Sequence, residues 1–225
     1  MTSLVRSGRL DYLVYAGILG FLLCMAIAIE MYPGGNLWDR AQPGYDFWRN
    51  FWCDLQRQPA YNGAANRIAP RFAQLAMLCL ALGIAAYFAL APRLFGRGRR
   101  LGQLVTAAGW CGAAGLVAVA AISSRGFPTL HGVAVLAAGP MGLIAVLGTV
   151  VGLARSPAQG RLTVLLGAAM LAVSLFTLTQ YVREFVFSAP SSEWLPRSQK
   201  LATVLALGWM CVVSAAAVRA RGPSG

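Results

Sequence analysis

Acidic residues are scarce in this chain: there are seven among 225, and charged residues of both signs make up only 12%. A soluble domain carries about a quarter charged residues, so a fully hydrated surface cannot be built from this composition. There is one histidine, His131, and one lysine, Lys200. A lone histidine excludes a three-histidine zinc site and the paired axial ligands of a dihaem protein. No G-x-S-x-G elbow, P-loop, H-E-x-x-H helix or dinucleotide fingerprint occurs. The five cysteines (Cys24, Cys53, Cys79, Cys111 and Cys211) form no disulfide framework, and no pair has metal-ligand spacing. Four fall in apolar stretches, where cysteine behaves as a small apolar residue. The sequence therefore implies no metal and no cofactor.

Apolar residues are abundant, at 58%, and they come in continuous blocks. Crossing a bilayer takes about 20 apolar residues in a helix, and blocks apolar on every side suit helices surrounded by lipid and other helices. The expected fold is all-α: a single polytopic domain over residues 1–225, with six spans near 11–32, 68–92, 101–123, 131–154, 161–187 and 199–219. Arg6 and Arg9 give the first block some likeness to a signal peptide. It runs unbroken to Met31, however, and ends at Tyr32-Pro33-Gly34-Gly35 without a small-residue cleavage pattern, so it reads as a first span.

The net charge is +12. The basic residues sit in short segments between spans, so topology accounts for them without nucleic-acid binding. Arg6, Arg9, Arg93, Arg97, Arg99, Arg100, Arg155, Arg161, Arg219 and Arg221 share one side with a single acid, Asp11. The opposite side mixes basic residues with Glu30, Asp39, Asp46, Asp54, Glu184 and Glu193. The positive-inside bias then places both termini in the cytoplasm, as an even number of spans also requires. Abundant Arg, Ala and Gly with a single Lys suggests a bacterial chain, hence the inner (plasma) membrane. Gly148 with Gly152, and Gly109, Gly112 and Gly115, are expected to let helices approach closely. Pro140 is expected to kink span four.

The long first loop, 33–67, is the least generic segment. Phe47, Trp48, Phe51, Trp52 and Leu55 recur at helical spacing, which predicts an amphipathic interfacial helix. Its polar stripe would be Asp46, Asn50 and Asp54, with Asp46–Arg49 and Asp54–Arg57 paired at i,i+3. That stripe would lie either in solvent or turned inward over the bundle mouth. Asn66 is the candidate cap of span two, ahead of Arg67, Pro70 and Arg71. Other polar residues cluster at the same face: Glu30 near the end of span one, His131 opening span four, and Gln180, Arg183 and Glu184 in span five. Ionisable groups at membrane depth usually face a cavity or one another. Arg183 is thus expected either to pair with Glu30 or Asp54 or to snorkel towards the interface.

The loop pattern GY-D-F-x-x-N-x-x-x-D-L, followed by N-G-x-x-N before span two, resembles the bacterial and archaeal membrane family known as domain of unknown function 998. The matching positions are Asn50, Asp54, Leu55, Asn62, Gly63 and Asn66, and a histidine opening span four also fits. Cys53 stands where that family commonly has Ser, and Gln56 where it has Gly. The layout is more distantly similar to six-span proteins of the DRAM and Sfk type and to GPI-lipid remodelling proteins. The resemblance implies the six-span architecture and no settled activity.

Three functional readings follow. In the first, Asn50, Asp54, Asn66, Arg71, His131 and Arg183 line an extracytoplasmic site for a lipid headgroup or another membrane protein, with Arg71 and Arg183 on phosphate. Glu30, Gln180 and Glu184 complete the candidate ligand set. In the second, a lipid-modifying hydrolase or transferase uses His131 as base, oriented by Asp54. The third, a transporter, is disfavoured because the inner halves of the spans carry few polar residues.

Overall fold

The computed structural model describes residues 2–95, 98–122, 126–156 and 160–219, with α1 side chains from Leu10 onward. Arg97 and Arg221 of the arginine-rich segments lie outside the described residues. Six helices are long and apolar enough to cross a membrane. They are α1 (Thr2–Glu30), α2 (Ala69–Leu90), α3 (Arg99–Ala121), α4 (Pro128–Ala154), α5 (Arg161–Phe185) and α6 (Trp194–Arg219). Large apolar side chains such as Leu19, Leu23, Leu82, Leu147, Leu165 and Leu175 point outward along these helices. An outer surface of that kind is compatible with lipid and not with water. The protein is a multi-pass membrane protein.

Each helix packs on the next, and α6 returns to α1, so the six helices close a ring. Glycines set the tight approaches. A Cβ on Gly17 of α1 would lie 2.6 Å from the Gly83 Cα of α2. One on Gly115 would lie 2.4 Å from the Ala138 Cβ of α4, and Gly109 makes room for the Phe88 ring. Gly148 and Gly152 receive Val105 and Phe95, which matches the packing role expected of them. Trp209 of α6 lies over Gly167 of α5, and its indole N–H donates to the Thr163 carbonyl at 2.8 Å. Pro140 is accommodated inside one continuous α4.

The helix ends differ from expectation in two places that matter for the site. α6 begins at Trp194, five residues before the predicted start near 199, because Ser192 caps it: Trp194 N donates to Ser192 Oγ at 3.2 Å. Pro196 then falls in the first turn, where its missing N–H costs little. At α2, Ile68 occupies the cap position, and Asn66 does not cap the helix. The Asn66 amide instead donates to the Leu55 and Arg57 carbonyls, both at 3.0 Å.

The predicted amphipathic helix around 46–57 does not form. A turn at Phe47–Arg49 leads into a short 3-10 helix, Trp52–Gln56. The cause is local competition by side chains for backbone groups. Asp46 N donates to Asn50 Oδ1 at 2.9 Å, while Asp46 Oδ1 accepts from Trp48 N and Arg49 N. These bonds close the segment on itself. The i,i+3 ion pairs are also absent: Arg49 reaches Glu193, and Arg57 stacks on the Tyr61 ring at 3.9 Å.

Gly17→Ala is expected to destabilise the protein by about 1–3 kcal/mol, because backbone rather than a movable side chain opposes it. Gly142→Ala meets nothing within 4 Å and is expected to be neutral or slightly stabilising, since Ala is the better helix former. Thermal unfolding in detergent compares the two variants.

Candidate functional site

The first loop enters the bundle. It leaves α1 through Gly34 and Gly35, whose φ angles of 132° and 81° suit glycine alone. A Cβ on Gly35 would also lie 2.6 Å from Asn62 N. The chain then descends to Trp52, whose indole meets Phe21 of α1 edge-on, with centroids 6.2 Å apart. Phe21 is nine residues below the end of α1, roughly 13 Å at 1.5 Å per residue. On its other side Trp52 is held by α6. Its backbone N–H donates to Gln199 Oε1 at 3.1 Å and its indole N–H to Thr203 Oγ1 at 3.2 Å. Trp52 thus sits in the seam where the first and last helices meet.

Irregular backbone at membrane depth persists only when protein groups satisfy it, and here a buried polar cluster does so. Lys200 of α6, 1% exposed, donates from Nζ to the Asn50 carbonyl. The Asn50 amide donates to the Gly35 carbonyl at 2.9 Å and to Asp54 Oδ2 at 3.1 Å. Asp54 Oδ2 also accepts the Phe51 N–H at 2.8 Å. Asn50 therefore bridges the ammonium of α6, the carboxylate of the loop and the backbone just beyond α1. Aromatic rings enclose the ammonium: Nζ lies 4.8 Å from the Trp52 centroid, 5.4 Å from Tyr45 and 5.9 Å from Phe47. Those ring faces attract a cation that has left water.

Burial pushes the Asp54 carboxyl up to about 6. The Phe51 N–H, the Asn50 amide and the charges of Arg57 and Lys200 pull the other way without cancelling it. Close by, Gln56 Oε1, Arg57 Nε and Asn66 Oδ1 are buried and have no hydrogen-bond partner.

Of the predicted site residues, Asn50 and Asp54 share this cluster, and Asn66 holds the Leu55 and Arg57 carbonyls just beyond it. The inward-turned version of the polar stripe describes Asn50 and Asp54, while Trp48 faces outward. The others lie elsewhere. Glu30 and Arg71 are exposed. Arg183 is also exposed and bonds to Gln180 Oε1 of its own helix at 3.1 Å, so neither Glu30 nor Asp54 is its partner. Glu184 accepts from Ser191 Oγ at 2.7 Å. His131 is buried at the start of α4, with Nδ1 2.7 Å from the Ile122 carbonyl. That contact requires a proton on Nδ1. His131 and Asp54 therefore have separate hydrogen-bond partners.

Lys200 is the central residue that sequence reasoning missed. As the only lysine, and one that the predicted span 199–219 already places near a helix end, it was available to find. Comparisons with protein-family models, curated proteins and solved structures return no match.

Two outcomes are expected. Lys200→Met keeps the volume but removes the bond to Asn50, and is expected to cost about 1–3 kcal/mol, read as a lower thermal midpoint. Asp54 makes a second, pH-dependent contribution. Its folded pKa exceeds the ordinary 3.8, so the unfolded state ionises first as pH rises. Stability falls from about pH 4 to about pH 6 and then levels off. Asp54→Asn lacks this decline, so its stability relative to wild type is expected to improve across that window and stay constant above it. A difference that does not change with pH would contradict the burial of Asp54.

Proposed function

We propose that this protein is a non-enzymatic membrane protein that binds a lipid headgroup at the loop end of its bundle. The observation that carries the reading is a carboxylate shared by two arginines. Glu193 Oε1 lies 3.5 Å from Arg49 Nε of the loop, and Glu193 Oε2 lies 2.6 Å from Arg197 Nη2 of α6. Two guanidinium groups on one carboxylate leave a net positive charge at a half-exposed position. Trp48 and Trp194, 55% and 62% exposed, stand next to these residues in the chain. The Arg197 guanidinium lies 5.4 Å from the Trp194 ring centroid. Planar guanidinium suits phosphate, and Trp is enriched at headgroup depth.

In this reading the loop end is extracytoplasmic, both termini are cytoplasmic and the membrane is the inner membrane of a bacterium. The excess of arginine at the opposite end supports that orientation. The resemblance to the family of domain of unknown function 998 belongs to the same proposal. Of the positions that carry it, Asn50, Asp54, Leu55 and Asn66 are buried, while Asn62 and Gly63 are exposed. The Ile122 carbonyl, not Asp54, takes the Nδ1 proton of His131, so the Asp54-oriented base of the lipid-modifying alternative has no support at Nδ1.

The test uses purified protein in detergent and fluorescently labelled phosphatidylethanolamine. Arg49→Gln with Arg197→Gln is expected to weaken binding about tenfold, the size of one lost charge-assisted contact. His131→Ala should bind normally, with the lipid recovered intact. Unchanged binding in the double variant contradicts the proposal. Conversion of the lipid to product, abolished in His131→Ala, would replace it with the lipid-modifying enzyme.

A further inference from the structure

The opposite, arginine-rich end carries a groove that the loop-end reading does not use. It lies between the end of α2 and the outer face of α3 and encloses about 540 Å³. Its lining includes Arg93, Arg99, Gln103, Thr106 and Trp110, and no carboxylate. Arg99, Gln103, Thr106 and Trp110 are spaced i, i+4, i+7 and i+11, so one stripe of α3 faces the groove along its length. From Arg99 to Trp110 that stripe covers roughly 16 Å of helix.

Polarity falls steadily along the stripe. At the mouth, Arg93 and Arg99 are exposed, and neither has an ion-pair or hydrogen-bond partner among the described residues. Gln103 follows, exposed and polar. Thr106 Oγ1 then donates to the Phe88 carbonyl of α2 at 2.9 Å. Lowest is Trp110, whose indole N–H donates to the Ala85 carbonyl at 3.1 Å. That bond fixes the ring as a wall, and the residue remains 54% exposed. The neighbouring floor is smooth: Gly102 faces Pro92, whose Cβ lies 3.1 Å from where a Cβ on Gly102 would be.

Two guanidinium groups without a partner among the described residues, above an amide, a hydroxyl and an apolar wall, match an amphiphile with an anionic head and an acyl tail. The geometry points to a binding site for one anionic phospholipid, with its phosphate between Arg93 and Arg99 and its acyl chain along Ala107 and Trp110. Charge complementarity selects this occupant. A zwitterionic lipid would leave part of the positive charge unbalanced, and a free phosphate would make no use of the indole wall. The inference is independent of the loop end, since none of its residues belongs to the Arg49–Glu193–Arg197 cluster.

The experiment is native mass spectrometry of the purified full chain with dioleoyl phosphatidylglycerol or dioleoyl phosphatidylcholine. One phosphatidylglycerol is expected to bind in preference to phosphatidylcholine. Arg93→Gln with Arg99→Gln should weaken it about tenfold or more. Arg155→Gln with Arg161→Gln removes the same charge at the same end but outside the groove, and should leave binding unchanged. Trp110→Ala should weaken phosphatidylglycerol without altering any residual phosphate binding. Equal weakening by both arginine pairs, no headgroup preference, or full competition by inorganic phosphate would each overturn the site.

Discussion

A chain of helices that closes into a ring has one joint with no short connection across it, the joint between its first and last members. In this protein a lysine ammonium holds that joint. Lys200 leaves α6 sideways and donates to the Asn50 carbonyl of the loop that follows α1. Through the Asn50 amide the contact continues to Gly35 and Asp54, and through Trp52 to Phe21, Gln199 and Thr203. Remove the ammonium and the loop loses the buried charged group that draws it between the helices, leaving the Arg49–Glu193 pair at the rim. Without the loop, the α1–α6 seam would lose the indole that fills it.

A buried cation in a membrane protein is costly unless something replaces its water. Here the replacement is a carbonyl, three aromatic faces and a carboxylate one residue removed. The carboxylate is itself satisfied by an amide and a backbone N–H. Beside it, Gln56 Oε1, Arg57 Nε and Asn66 Oδ1 are buried without a hydrogen-bond partner, while Arg49, Glu193 and Arg197 lie on the rim. The two ends of the bundle thus differ in kind. One is a buried polar cluster with a cationic rim; the other is an open groove whose Arg93 and Arg99 have no partner among the described residues.

Much of the fold was legible in the sequence because continuous apolar blocks and the two-sided charge count depend on composition, which tertiary contacts do not rewrite. The glycines at positions 109, 115, 148 and 152 were likewise readable as points of close approach. The loop was harder. Phe47 to Leu55 has true helical spacing, but Asp46 and Asn50 cap one another first, and period alone does not register that competition. Asn50 and Asp54 are buried, the inward of the two alternatives that the spacing leaves open. Their partner Lys200 lies 150 positions from Asn50, a separation that local spacing does not bridge. Arg183, Glu30 and Arg71 share a membrane face with the site, but their side chains are exposed and are not drawn into the buried cluster. Asn66 had the residue type of a cap, yet two loop carbonyls took its amide.

Residues 50–57 are held inside the bundle rather than lying on its surface. Hydrogen–deuterium exchange on the intact protein in detergent addresses this directly, with the exposed stretch at Arg40 and Ala41 as an internal reference. The amides of Phe51, Trp52 and Asp54 are expected to exchange orders of magnitude more slowly than that reference, in step with the helices flanking the seam. Exchange of all three at the rate of Arg40 and Ala41 would contradict it.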